Sequence, residues 1–137
     1  DDSWGRDISF PGYKMYMNSV QAKILMNNFE IFDKKMRVLS NLVNTYNREL
    51  GYENSSKHLY RIEVLDNERF IKNMKNAGIV CGNHYPALHL NPVYNGGKEF
   101  DCSKSEKLAK RTVSLPMNEK LSFYQTEYII DKVKENL

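Results

Sequence analysis

Leu25, Phe29, Phe32, Met36, Leu39, Val43, Tyr46 and Leu50 follow one another at alternating steps of four and three residues. That spacing places all of them on one face of a long α-helix. Gly51 comes next and can take the left-handed conformation that closes a helix. A helix with so continuous an apolar face must be covered. A coiled-coil seam would need a second stripe of the same kind, and the chain offers only this one, so the helix is expected to lie on a domain core.

The remaining elements are shorter. Pro11-Gly12 fixes one φ and frees the next, which marks a turn, and Asn18 can then cap a helix start. After a polar stretch from Tyr52 to Lys57, the run from His58 to Val64 alternates, with Tyr60, Ile62 and Val64 on one face of a half-buried strand. Asp66 or Asn67 caps a short helix with Phe70, Ile71 and Met74 inward, closed by Gly78. Ile79 to Tyr85 is expected to be a second strand. Pro86 to Gly97 has the Pro, Asn and Gly content of a loop. Ser103 and Glu106 form a capping-box pair opening another helix, and Thr112 to Leu115 is a short third strand. Ser122 and Gln125 form a second box, opening a helix with Tyr128, Ile129 and Val133 inward. The expected fold is α+β in one domain, residues 1–137: a small, mainly antiparallel sheet of about three strands covered by helices, with one long N-terminal helix.

Composition excludes several classes of function. The chain of 137 residues is 41% apolar, enough for one moderate core. Its 20 basic and 17 acidic side chains leave a net charge of only +3, too little for a nucleic-acid surface without a clustered basic face. Lys104, Lys107, Lys110 and Arg111 are basic at helical spacing, which a solvated helix face explains. No apolar run reaches the ~18 residues of a membrane span, and no signal peptide is visible. Cys81 and Cys102 are too few for a disulfide framework and fit a reducing, cytoplasmic setting.

Two clusters could carry chemistry. Lys14, between Tyr13 and Tyr16 and just ahead of a helix start, could hold a phosphate with its ammonium and the helix dipole; alternatively it is an exposed lysine beside structural tyrosines. His84 and His89 lie in a polar loop, His84 beside Tyr85. Zinc sites use three or four ligands at characteristic spacings, and these are missing, so no metal ligand is assigned. A loop facing a substrate is the better reading.

Five stretches, in this order, resemble the C-terminal domain of the PLP-dependent sugar-nucleotide aminotransferases, the DegT/StrS-like group of fold type I enzymes. They are Gly12 to Asn18 with Gln21-Ala22; His58-Leu59-Tyr60; Ala77-Gly78-Ile79; His84-Tyr85-Pro86 with Leu88-His89; and Ser114-Leu115-Pro116-Met117. The resemblance runs from about Trp4 to Val133. It implies an enzyme that moves an amino group from an amino acid, usually glutamate, to a keto-sugar linked to a nucleotide. It implies PLP as cofactor in the complete enzyme, with Lys14 and Tyr16 as neighbours of the cofactor phosphate across a homodimer interface. His84 and Tyr85 are implied as substrate-binding residues. The family's cofactor-bearing lysine lies in a large N-terminal domain, upstream of the segment matching Gly12, so no catalytic residue is assigned within this chain, and the chain alone is expected to be inactive. The family often has Asn where Lys14 stands and Arg or Asn where Tyr16 stands. A non-catalytic binding or structural module of the same fold is therefore the alternative.

Overall fold

The computed structural model describes residue 10 and residues 12–95 and 101–137. Trp4 and Pro11, and Gly96-Gly97 at the end of the expected loop, lie outside the described residues. The elements are α1 (Ser19–Phe29), α2 (Phe32–Leu50), β1 (Tyr60–Glu63), α3 (Asn67–Asn76), a 3₁₀ turn (Leu88–Leu90), α4 (Pro92–Asn95), α5 (Ser103–Ala109), β2 (Thr112–Leu115) and α6 (Phe123–Asn136).

The fold is α+β, as expected. β1 and β2 pair antiparallel, with Tyr60 opposite Leu115 and Ile62 opposite Val113. The expected strand at 79–85 contributes one bridge, Gly82 to Ser114, on the other edge of β2. β2 is therefore the central strand, which is why Val113, Ser114 and Leu115 are all buried. Side chains of β1 alternate, with Tyr60 and Ile62 buried and Arg61 and Glu63 exposed. The buried cluster joins these strands to Leu42, Val43 and Tyr46 of α2, Phe70 and Met74 of α3, and Ile129, Ile130 and Val133 of α6. Two ion pairs show the relative direction of α2 and α6. Lys35 near the start of α2 meets Glu119 just before α6 at 3.0 Å, and Glu49 at the end of α2 meets Lys134 near the end of α6 at 3.3 Å. The two helices run parallel. These exposed pairs fix little energy; the apolar face beneath them supplies the stability.

The long apolar stripe folds as two helices. α1 ends at Phe29, and α2 starts at Phe32 with Ile31 as an N-cap that makes no side-chain bond. Asn28 donates from Nδ2 to the Ile24 carbonyl, and the Ile31 N–H bonds the Asn28 carbonyl, so local bonds compete with the helical ladder. The stripe carries on through the break, with the Phe29 and Phe32 rings 5.8 Å apart. Its two halves have different fates. No residue of α1 is buried, and Leu25, Phe29 and Phe32 are exposed, whereas Val43 and Tyr46 enter the core together with Leu42.

Turn chemistry follows the sequence closely. Gly51 and Gly78 close α2 and the α3 turn at φ 73° and 77°, a region other residues rarely adopt. Asn18–Gln21 and Ser122–Gln125 both form complete capping boxes. Asp66 caps α3 by accepting the Arg69 N–H. Asn67 does something else. It is buried, and its Nδ2 donates to the carbonyls of Ala109 and Thr112, fastening α3 to the approach to β2. The box expected at Ser103 is absent. α5 begins with Ser103 itself and Cys102 takes the N-cap position without a side-chain bond, so Glu106 falls one place past the capping-box position, and its carboxylate meets His89 Nε2 at 3.0 Å instead. Among the described residues, no helix is long and apolar enough to cross a membrane.

Candidate functional site

A cavity of about 480 Å³ opens between the outer edge of β1, the 52–54 segment, His84-Tyr85 and α5. Its walls are pinned by side chains that bond to backbone. Tyr52 Oη donates to the Glu63 carbonyl at 3.0 Å, and Asn54 Nδ2 donates to the Arg61 carbonyl at 2.9 Å. Asn54 is held in turn by α2: Asn47 donates to its carbonyl and accepts its N–H. Tyr60 Oη donates to Asn47 Oδ1 at 2.9 Å, so the core strand, the helix end and the cavity wall are one network. Opposite, Asn83 Nδ2 donates to the Ala109 carbonyl at 3.1 Å and ties the His84 segment to α5.

His84 is buried and Tyr85, next in the chain, is exposed, with the two rings edge to face at 5.0 Å. The histidine is therefore fixed while the tyrosine offers a free ring face. Burial, aided by the nearby His58, holds the His84 imidazole below the ordinary histidine range. At neutral pH it is uncharged, one nitrogen able to donate and the other to accept. Arg61 also faces the cavity. In the sequence Arg61 only alternates with inward neighbours, and outward strand positions carry no signal of what they border. Glu63 faces the cavity too, with its carboxylate engaged by Arg111 at 3.0 Å.

His84 makes stability depend on pH in a defined direction. Its folded pKa lies below the unfolded value of about 6.5. Above that value both states are neutral and the group costs nothing. As pH falls through it, the unfolded state takes up a proton that the folded state resists, so stability drops. Urea midpoints measured from pH 7.5 to pH 5 should fall for the wild type and fall less for His84→Gln. Parallel curves for the two proteins would show that His84 does not set this slope.

Lys14 and Tyr16 stand elsewhere. Gly12 to Met17 is an exposed arm leading into α1, with Lys14 Nζ 5.8 Å from the centre of the Tyr16 ring. Tyr16 lines a second, open depression of about 520 Å³ along α1, with Met15, Met17, Gln21, Ile24, Leu25 and Asn28. The structure thus sets Lys14 beside Tyr16 and His84 beside Tyr85, and Tyr16 borders a different depression from the one that His84 and Tyr85 line. Lys104, Lys107 and Lys110 are exposed on or just after α5, while Arg111 is half-buried against Glu63. Burial pushes the Cys81 thiol up to about 12 and removes it as a nucleophile. Among the described residues, no three His, Cys, Asp or Glu side chains converge as a metal site.

Residues 1–134 match the family model of the DegT/DnrJ/EryC1/StrS aminotransferases. The chain belongs to this family. A relative from Geobacillus stearothermophilus, described as a pleiotropic regulatory protein, is 29% identical over 141 residues, covering 90% of this chain and 38% of its own. The spore coat polysaccharide biosynthesis protein SpsC of Bacillus subtilis is 23% identical, covering 97% of this chain and 40% of its own. Among solved structures, Helicobacter pylori PseC, an aminotransferase involved in the biosynthesis of pseudoaminic acid, superposes with a TM-score of 0.78 at 17% identity, over 99% of this chain and 42% of that one. At that identity the likeness speaks for the shared fold. The chain spans about two fifths of the length of these relatives.

Proposed function

We propose that this chain, residues 1–137, is the C-terminal domain of a PLP-dependent aminotransferase. The complete enzyme would move an amino group from an amino acid, glutamate by resemblance, to a nucleotide-linked keto-sugar in polysaccharide or antigen biosynthesis. The observation that carries the reading is the family match along residues 1–134. The missing partner is an N-terminal domain holding the cofactor, in a homodimer whose active sites lie between subunits. Two free cysteines fit a cytoplasmic setting.

The residues present suit one part of PLP, its phosphate. Lys14 supplies an ammonium and Tyr16 a hydroxyl donor on an exposed arm just ahead of the α1 N-terminus, and all three favour an anion. When bound, PLP supplies the electron sink for breaking the bond to hydrogen at the amino-bearing carbon. This chain binds and orients. Lys14 neutralises phosphate charge, and the Tyr16 ring, 5.8 Å from the Lys14 ammonium, leaves its hydroxyl to donate beside it. His84, neutral and fixed, shapes the wall against which a sugar or nucleotide sits, and Tyr85 gives a flat apolar face on which a ring can rest.

PLP affinity of the full-length apo-enzyme, measured by absorbance titration, tests this reading. Lys14→Ala should weaken it by about 5–30-fold, the 1–2 kcal/mol of a charge-assisted hydrogen bond. Lys107→Ala, on the solvated face of α5, should leave it unchanged. Equal affinity in wild type and Lys14→Ala would remove Lys14 from the phosphate site.

A further inference from the structure

We infer that Gly82 is a positioning residue, whose missing side chain is what lets the His84 imidazole lie in its buried place beside the cavity. A Cβ built at Gly82 would fall 2.7 Å from His84 Cε1, 3.3 Å from Nδ1 and 3.5 Å from Nε2. The first distance is far inside van der Waals contact, so a methyl group and the ring cannot share the site.

The glycine is needed there for space and not for backbone shape. The positive-φ glycines among the described residues are Gly51 and Gly78, and neither of those has any atom within 4 Å of its added Cβ. Gly82 shows the reverse: an ordinary φ and a crowded Cβ direction.

The backbone at Gly82 has little freedom to yield. Its N–H donates to the Ser114 carbonyl at 3.0 Å, and its carbonyl accepts the Ser114 N–H at 2.7 Å. Ser114 belongs to β2, the central strand, whose neighbours Val113 and Leu115 are core. On the other side, Asn83 is tied to α5 through the Ala109 carbonyl. The group that must move is therefore the imidazole. Moving it breaks its edge-to-face contact with Tyr85 and shifts both side chains that face the cavity from this loop.

The consequence for substrate rests on the reading of His84 and Tyr85 as substrate contacts, so the experiment keeps the two claims apart. The first measurement needs no substrate. In the full-length protein, the His84 imidazole ¹³Cε1–¹H signal, assigned by its loss in His84→Gln, is recorded in wild type and Gly82→Ala. The expected result is a displaced signal with unchanged far-UV circular dichroism. A signal at the wild-type position in folded Gly82→Ala overturns the proposal.

A double-mutant cycle covers the case in which Gly82→Ala folds poorly. On a His84→Ala background the added methyl has room. The melting temperature lost in Gly82→Ala, about 2–4 °C or more, should largely vanish there. An equal loss on both backgrounds overturns the proposal, because the methyl would then clash with something other than the ring. Finally, binding of a nucleotide-linked sugar by His84→Ala and Gly82→Ala is compared with wild type. Weakening in both supports the substrate role. Unchanged binding in His84→Ala defeats that role while the signal and the cycle still decide Gly82.

Discussion

Tyr60→Ala should lower the stability of the chain by about 3–5 kcal/mol, the range for removing a buried aromatic ring. Tyr60 is fully buried in β1, opposite Leu115, and its ring lies 4.8 Å from that of Tyr46 on α2. Truncation leaves a cavity at the junction of sheet and helix and strips Tyr46 of its tilted aromatic partner. It also breaks the bond to Asn47 Oδ1, although that oxygen still accepts the Asn54 N–H. Tyr60→Phe keeps the ring and should cost only about 1 kcal/mol. Since whole domains hold about 5–15 kcal/mol, the alanine variant should sit near the edge of folding. Urea unfolding followed by circular dichroism reads both. A loss below about 1 kcal/mol in Tyr60→Ala would mean that the sheet and α2 do not share one core.

A second large effect is all or nothing. The chain alone, mixed with PLP and reduced with borohydride, should give no stoichiometric adduct at any one lysine and no amino transfer from glutamate. A lysine becomes a nucleophile near neutral pH when burial or a neighbouring cation lowers its pKa. None of the described lysines is buried, and Lys132 is pushed the other way by its pair with Glu135. Peptide mapping of the reduced mixture is the check. One lysine labelled to completion, with transamination, would place the chemistry inside this chain and overturn the division of labour proposed above.

The sequence disclosed what is local and periodic. Asn18, Asp66, Ser122, Gly51 and Gly78 act as their residue types require, because caps and left-handed turns depend on neighbours within a few positions. It disclosed less where distant partners compete. Ser103 and Glu106 suited a capping box, yet the helix takes Cys102 as its N-cap, and the Glu106 carboxylate meets His89, seventeen positions earlier. Ile79 to Tyr85 had strand-like residues, yet only Gly82 reaches β2. The apolar stripe was continuous, but nothing in its spacing told that α1 would stay uncovered while α2 went into the core. The same limit governs the candidate site. His84 and Tyr85 stood out as polar and aromatic neighbours in a loop. Arg61 and Gly82 did not, since one borders the cavity only through strand pairing and the other matters through an atom it lacks.

The central claim is that this chain completes a sugar aminotransferase by lining its cofactor and substrate sites. The most direct measurement is amino transfer by the full-length protein, supplied with PLP, glutamate and a nucleotide-linked keto-sugar, and followed by 2-oxoglutarate release and the mass of the sugar product. The account predicts one 2-oxoglutarate for each amino-sugar formed, with the rate reduced in both Lys14→Ala and His84→Ala. Turnover unaffected by both substitutions, or no amino-sugar from any nucleotide-linked keto-sugar by a protein that binds PLP, would contradict it.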